Sequence, residues 1–293
     1  MPHSPLDLYA QYRFLDQSIF GHTFAGFKQK YAITVPMPGF EKVVGFKNQD
    51  EMHERMYSIA YRVEKDVLDL PEVQHDVRTF TLGAKGAKAY KEMARDFVTW
   101  LEEQGTTASA SNALVKLLRL AQLTSGFLRT EGGEEVQVDN GKELLLGDIL
   151  DDLPLDEPVV VFARFRHDLD VIERVSRAGG RAFRELSGRA NQLKEWQDGD
   201  GTVLGAQIQA GGVGVDLTRA RYTLFYSLGY SLGDYEQALA RSHRPGQLRP
   251  VFYYHLVAEK TVDEDIYAAL RDKKEIVEYV LGRIQRGSST ETL

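Results

Sequence analysis

Apolar positions follow two regimes along the chain. Over roughly the first 140 residues they recur mostly at three- and four-residue steps, predicting helices over 6–15, 23–31 and 48–60 with Gly- and Pro-marked loops between them. Short alternation of apolar and polar residues marks 60–65 and 74–82, the second on Val77, Phe80 and Leu82. Residues 85–104 form a long amphipathic helix with Tyr90, Met93, Phe97, Trp100 and Leu101 on one face, a stripe most simply read as core. A further helix covers 113–127, and Gly132-Gly133 opens a turn into a weak hairpin.

From Lys142 helices and apolar runs alternate. Helices are predicted over 143–153, 168–178, 191–196, 234–243 and 262–284, and strands over 158–162, 181–186, 202–208, 222–228 and 251–257. Pro158-Val-Val-Val-Phe162 is a continuous apolar run, as expected of a strand covered on both faces. This spacing implies an α/β fold with a parallel, doubly wound sheet, preceded by a mainly helical region. Ligands of such sheets lie at the carboxyl ends of the strands, where the loops hold Arg164, Ser187, Gly188, Gln209 and residues 210–216.

Two stretches in this half carry candidate chemistry. The helix over 234–243, with Asp234 as its expected N-cap, projects Gln237, Arg241 and Arg244 from one face at steps of four and three. Such a row serves equally as an ordinary solvated face or as a grip on a phosphate chain, since each guanidinium is a fixed, permanently charged fork of donors. The second stretch, Ala210-Gly211-Gly212-Val213-Gly214-Val215-Asp216, follows an apolar strand, and its glycines let backbone amides approach an anion. A dinucleotide fingerprint is refused by spacing: from Gly214 to the strand at Tyr222 there is no room for the crossover helix. A methyltransferase-type site fails for the same reason.

Composition narrows the classes. The 293 residues contain no cysteine, which removes disulfides and thiolate metal sites and fits a cytoplasmic protein. No His-rich ligand spacing appears, so no metal site is expected, and no apolar run approaches the length of a membrane helix. The net charge of −7 argues against a free-standing basic nucleic-acid binder. Residues 159–250 are nevertheless net positive on this acidic chain, which leaves room for a local polyanion site.

Residues 158–166, 210–218 and 237–247 resemble the fourth, fifth and sixth motifs of superfamily-two helicases. The string QALARSHRPGQ is similar to the Swi/Snf-type DNA-dependent ATPases in particular. LDLYAQYRFLDQSIFG near the start resembles the segment after the third motif of these enzymes, and Lys260-Thr261-Val262-Asp263-Glu264 resembles the start of the helix after their last strand. The resemblance implies a RecA-like second motor lobe over 141–282, a helical end of the first lobe over 1–60, a mainly helical insertion over 61–140 and a flexible tail over 283–293.

It further implies that Arg241 and Arg244 act as arginine fingers, with Gln237 positioning them. Gly214 and Asp216 would contact the nucleotide. Arg164, Ser187, Gly188, Gln209, Gly211 and Gly212 would face a DNA backbone. ATP with Mg2+ would belong to the complete two-lobe enzyme, with none held tightly by this chain, and its partners would be double-stranded DNA and the first lobe.

Departures temper the resemblance. No GxxxxGK[ST] loop occurs, and Asp50-Glu51-Met52-His53 is a decoy for a DExH box because it begins a polar, amphipathic helix rather than ending a buried strand. The chain is therefore expected to be inactive alone, its first lobe being either an upstream part of the same protein or a separate chain. Ile208 stands where the family has a hydroxyl residue, Asp216 replaces the usual asparagine, and only Gly229-Tyr230-Ser231-Leu232-Gly233 remains of an aromatic-rich stretch. These features suggest a compact prokaryotic or viral member. The alternatives are a strand-separating RNA or DNA helicase lobe, or a non-catalytic remnant of the fold that binds DNA or protein.

Overall fold

The computed structural model describes residues 4–37, 39–61, 68–104, 110–130, 132–209, 214–274 and 276–287. Two compact units divide the chain, residues 1–69 and 70–293. In the first, helices α1 (Leu8–Leu15), α2 (Gln17–Phe20), α3 (Phe24–Tyr31) and α4 (Gln49–Tyr57) pack around an aromatic cluster of Tyr9, Tyr12, Phe20, Phe27 and Tyr31. Strands β1 (Ala32–Met37) and β2 (Phe40–Phe46) form an antiparallel hairpin where loop was expected. Pro36 and Gly39 suggested irregular chain, but Gly39, at φ 85°, supplies a turn and Ile33, Val35 and Met37 alternate along the strand. Asp50–His53 lies on α4 with Met52 buried, so the DExH-like string is helical, as the polar lead-in to it predicts.

The second unit is built on a six-stranded parallel sheet in the order β3-β10-β9-β6-β8-β7. Its strands are β3 (Val73–Phe80), β6 (Val159–Ala163), β7 (Phe183–Leu186), β8 (Val203–Gln207), β9 (Tyr222–Phe225) and β10 (Val251–Ala258). A small hairpin, β4 (Phe127–Arg129) with β5 (Glu135–Gln137), matches the expected weak one. Every residue of β6 is buried, and successive side chains go to opposite faces. Val160 and Phe162 enter one core, while Val159, Val161 and Ala163 enter the other, which is why the run is continuously apolar. Against the first core lie α5 (Ala84–Gln104), α6 (Ala110–Thr124), α10 (Leu232–Ser242), α11 (Val262–Arg271) and α12 (Ile276–Gly287). Against the second lie α7 (Gly141–Asp151) and α8 (Arg166–Ala178), and the short α9 (Leu193–Gln197) seats Trp196 in the first core. Phe97 and Leu101 are buried, as the aromatic stripe of α5 predicts.

Three sequence expectations need correction. Strand β3 is an edge of the main sheet, so the lobe draws residues 73–80 in from outside 141–282. The final helix is two helices: α11 ends where Lys273 takes left-handed backbone, at φ 53°, and the amides of Lys273 and Lys274 bond back to Leu270 and Ala269. Residues 283–287, expected in a flexible tail, belong to α12, and 288–293 lie outside the described residues.

Gly205 shows how closely β8 is packed. A Cβ there would come within 2.6 Å of the Phe183 ring and 3.2 Å of Leu169 Cδ2. Gly205→Ala should therefore destabilise the lobe by about 1–3 kcal/mol through overpacking, read from the shift of a urea unfolding curve. An unshifted curve would mean that the two side chains yield freely.

Candidate functional site

Loops following four neighbouring parallel strands meet at the carboxyl edge of the sheet. Arg164 follows β6, Ser187 and Gly188 follow β7, Gln209 follows β8, and Gly229-Tyr230 follow β9. Arg164, Gln207, Gln209, Gly229 and Asp234 line one small pocket there. Gln207 links three of these loops: its Oε1 accepts from the Gly188 amide at 3.5 Å and its Nε2 donates to the Arg164 carbonyl at 3.4 Å, both at the long limit of hydrogen bonding. Gln209 and Gly188 are exposed. The Ser187 hydroxyl donates to Glu185 and accepts from the Arg189 amide, so it is engaged within its own turn. Arg189 in turn bonds Glu185 at 2.7 Å and Asp170 at 2.5 Å, and these two carboxylates raise its pKa.

Arg164 is half-buried, its guanidinium 4.9 Å from the centre of the Tyr230 ring. Burial lowers its pKa, with Tyr230, Asp234 and Asp168 opposing. The Tyr230 hydroxyl donates to the Leu117 carbonyl at 2.8 Å, which fixes the ring against α6.

The arginine helix α10 begins earlier than expected. Ser231, not Asp234, is its N-cap: the Ser231 hydroxyl accepts the Asp234 amide at 3.1 Å, which places Asp234 in the first turn. Asp234 reaches the pocket beside Arg164, whereas Arg241 and Arg244 lie at the far end with the loop 214–218. The Leu217 amide donates to the Arg241 carbonyl at 3.1 Å, and Arg244 Nη1 donates to the Val215 carbonyl at 3.5 Å. Both arginines are half-buried, and Gln237 is exposed on the same helix. Asp216 Oδ1 accepts from the Thr218 amide at 2.9 Å and its hydroxyl at 2.7 Å. Burial pushes the Asp216 carboxyl up, but these bonds and the Arg244 charge outweigh it, leaving its pKa below the ordinary value. Gly214 has φ 93°, and among the described residues nothing lies within 4 Å of where a Cβ would stand, which leaves that side of its backbone open to a ligand. Gly211 and Gly212 lie outside the described residues. The expected residues thus form two groups, one at each end of α10.

Sequence reasoning missed the residues that hold these groups in place. Gln247 is buried, and its Nε2 donates to the carbonyls of Thr218 at 3.0 Å and Ala220 at 3.1 Å, while its Oε1 accepts from the amides of Leu248 and Arg249. It clamps the loop 214–220 to the turn after α10, and its only sequence signal was its place at the end of QALARSHRPGQ. The Tyr253 hydroxyl donates to the Leu239 carbonyl at 2.5 Å. Burial pushes His255 down to about 3, so its neutral ring pairs with the Tyr235 hydroxyl at 2.8 Å. No periodicity announces such cross-links.

Residues 142–246 match the family described as helicase conserved C-terminal domain. A protein of Acyrthosiphon pisum secondary endosymbiont phage 1, p41, is 26% identical over 97% of this chain and 63% of its own length. The Drosophila melanogaster homolog of SWI/SNF-related matrix-associated actin-dependent regulator of chromatin subfamily A containing DEAD/H box 1 is 32% identical, over 46% of this chain and 17% of its own. The chain therefore spans less than two thirds of these relatives. Among solved structures, the C-terminal part of the Fun30 ATPase domain has a TM-score of 0.58 at 17% identity, covering 75% of this chain and 99% of that one. The Sulfolobus solfataricus SWI2/SNF2 ATPase core in complex with dsDNA has a TM-score of 0.54 at 19% identity, covering 93% and 59%. Among the described residues, no helix is long and apolar enough to cross a membrane.

Proposed function

Because this chain carries the C-terminal helicase lobe of the SNF2-family ATPases, we propose that it is the second half of a motor that tracks along double-stranded DNA and hydrolyses ATP only when joined to a first lobe. The observation that carries this reading is the arrangement of α10. One end lies by the Arg164 pocket and the other is bonded to the loop 214–218, so one rigid element spans both groups.

Arg241, Arg244 and the open backbone at Gly214 suit an anionic phosphate chain, and they would hold ATP with Mg2+ together with the first lobe. Bound ATP supplies the phosphoryl group whose transfer to water drives the motor. The arginines contribute fixed positive charge toward the phosphates, and Gln237, from the same helix, orients that row. Asp216, held by Thr218, keeps the loop in register with Arg244. Arg164, Ser187, Gly188 and Gln209 face the DNA backbone, to which the resemblance also assigns Gly211 and Gly212, outside the described residues; the amides and the cation read phosphate rather than sequence.

The test is binding of a fluorescent duplex by the full 293-residue chain as salt is raised. Affinity should fall linearly on a log–log scale and be indifferent to sequence, and Arg164→Ala should weaken it while reducing the slope by about one phosphate contact. Absence of duplex binding at low salt would sink the DNA-facing assignment. Binding of single strands in strong preference to duplex would favour a strand-separating lobe.

A further inference from the structure

Beneath Arg164 is a buried polar chain that the proposed roles do not use. The Arg164 amide donates to Ser227 Oγ at 2.7 Å, and the Ser227 hydroxyl donates to Asp168 Oδ2 at 2.5 Å. The Phe165 amide also reaches Asp168 Oδ2, at 3.3 Å. Asp168 is fully buried in the first turn of α8, and Ser227 is buried in the loop after β9. Two strands' loops, after β6 and β9, are therefore joined through one hydroxyl whose direction a carboxylate sets. Burying a carboxylate is costly, and the second oxygen, Oδ1, has no hydrogen-bond partner among the described residues. A neutral side chain would serve a merely structural link more cheaply.

We propose that Asp168 and Ser227 are positioning residues for the Arg164 contact: the oriented hydroxyl fixes the Arg164 backbone while the Tyr230 ring holds its guanidinium, presenting a preset cation to a nucleic-acid phosphate. This rests on the reading of Arg164 as a DNA-facing residue. Preorganisation of this kind strengthens binding by removing the entropy of ordering a long side chain and its loop.

The charge on Asp168 makes the device sensitive to pH. Burial raises its carboxyl to about 6 against the pull of Ser227, Lys142, the Phe165 amide and His167. The charged and titratable groups around it are Lys142 from α7, His167 on its own helix, Arg164 in the preceding loop and Tyr226 beside Ser227. Below that pKa the neutral acid is a weaker acceptor for both amide and hydroxyl, and the loop loosens. Stability moves the other way. A carboxyl whose folded pKa lies above its unfolded value makes the protein more stable as pH falls from about 6 toward 4.

The experiment measures duplex affinity and thermal stability of the full chain as wild type, Asp168→Asn, Ser227→Ala, Ser227→Thr and Arg164→Ala, at constant ionic strength between pH 5 and 8. At pH 7.5, Asp168→Asn and Ser227→Ala should each weaken duplex binding about three- to tenfold, and Ser227→Thr should restore most of it. The advantage of wild type over Asp168→Asn should vanish below pH 6, while its melting temperature relative to that variant rises. If Asp168→Asn does not fold, the Ala and Thr variants of Ser227 decide. Folded relay variants that bind like wild type, while Arg164→Ala binds weakly, would overturn the relay alone. An Arg164→Ala protein that binds like wild type would overturn the DNA-facing reading and the relay with it.

Discussion

A protein carrying both motor lobes should lose about 10³- to 10⁵-fold of its DNA-stimulated ATP turnover when Arg244 becomes alanine, the range that separates enzymes with and without a positioned arginine finger. Arg244 is held at the turn after α10 by the Val215 carbonyl, beside the depressed carboxyl of Asp216. Alanine removes the charge and leaves Gln247 clamping the same turn, so the fold should be preserved and the loss should fall on turnover rather than on duplex binding. Arg244→Lys should recover little, because an ammonium lacks the planar fork. The present chain, whose sequence has no phosphate-binding loop, should show no turnover with or without duplex. A two-lobe Arg244→Ala protein within tenfold of wild type would remove Arg244 from the chemistry.

The largest stability effect is expected from an ion pair far in sequence from the arginines. Lys142 Nζ donates to Asp263 Oδ2 at 2.7 Å with side-chain exposures of 2% and 9%. The same carboxylate accepts the Thr124 hydroxyl at 2.7 Å and the Ala258 amide at 3.3 Å. It thereby joins the ends of α6 and β10 to the starts of α7 and α11. Asp263→Ala strands the lysine charge in the interior and should cost about 3–5 kcal/mol in urea unfolding. Adding Lys142→Met to an Asp263→Asn protein should recover much of that loss, since the amide oxygen can still accept the Ala258 amide and no charge is orphaned. A cost below about 1 kcal/mol for Asp263→Ala would mean that water reaches Lys142.

What could be read beforehand follows physical lines. The burial of β6 was legible because both faces of a central strand are covered, so five consecutive apolar residues have one simple explanation. The carboxyl-edge loops were legible because parallel topology fixes where they gather. Strand β3 was seen as a strand but not as part of the lobe, because its partner lies 178 residues away and most of this edge strand is exposed. The break between α11 and α12 carries no Gly or Pro; Lys273 adopts the left-handed turn itself. Ser227, Asp168 and Gln247 were illegible for another reason. Each is a polar side chain bonded to a loop elsewhere, and such pairings have neither period nor spacing.

The pairing of β3 with β10 also bears on how the chain is made. During synthesis from the amino end, Val73–Phe80 emerges long before Val251–Ala258, and every ladder bond between them waits for almost the whole lobe to leave the ribosome. The nascent lobe must therefore hold a strand with no neighbour, in a fold whose parallel pairings are slow to close. Asp76 and Arg78, the charges on that strand, are of the kind that discourages premature pairing with other chains.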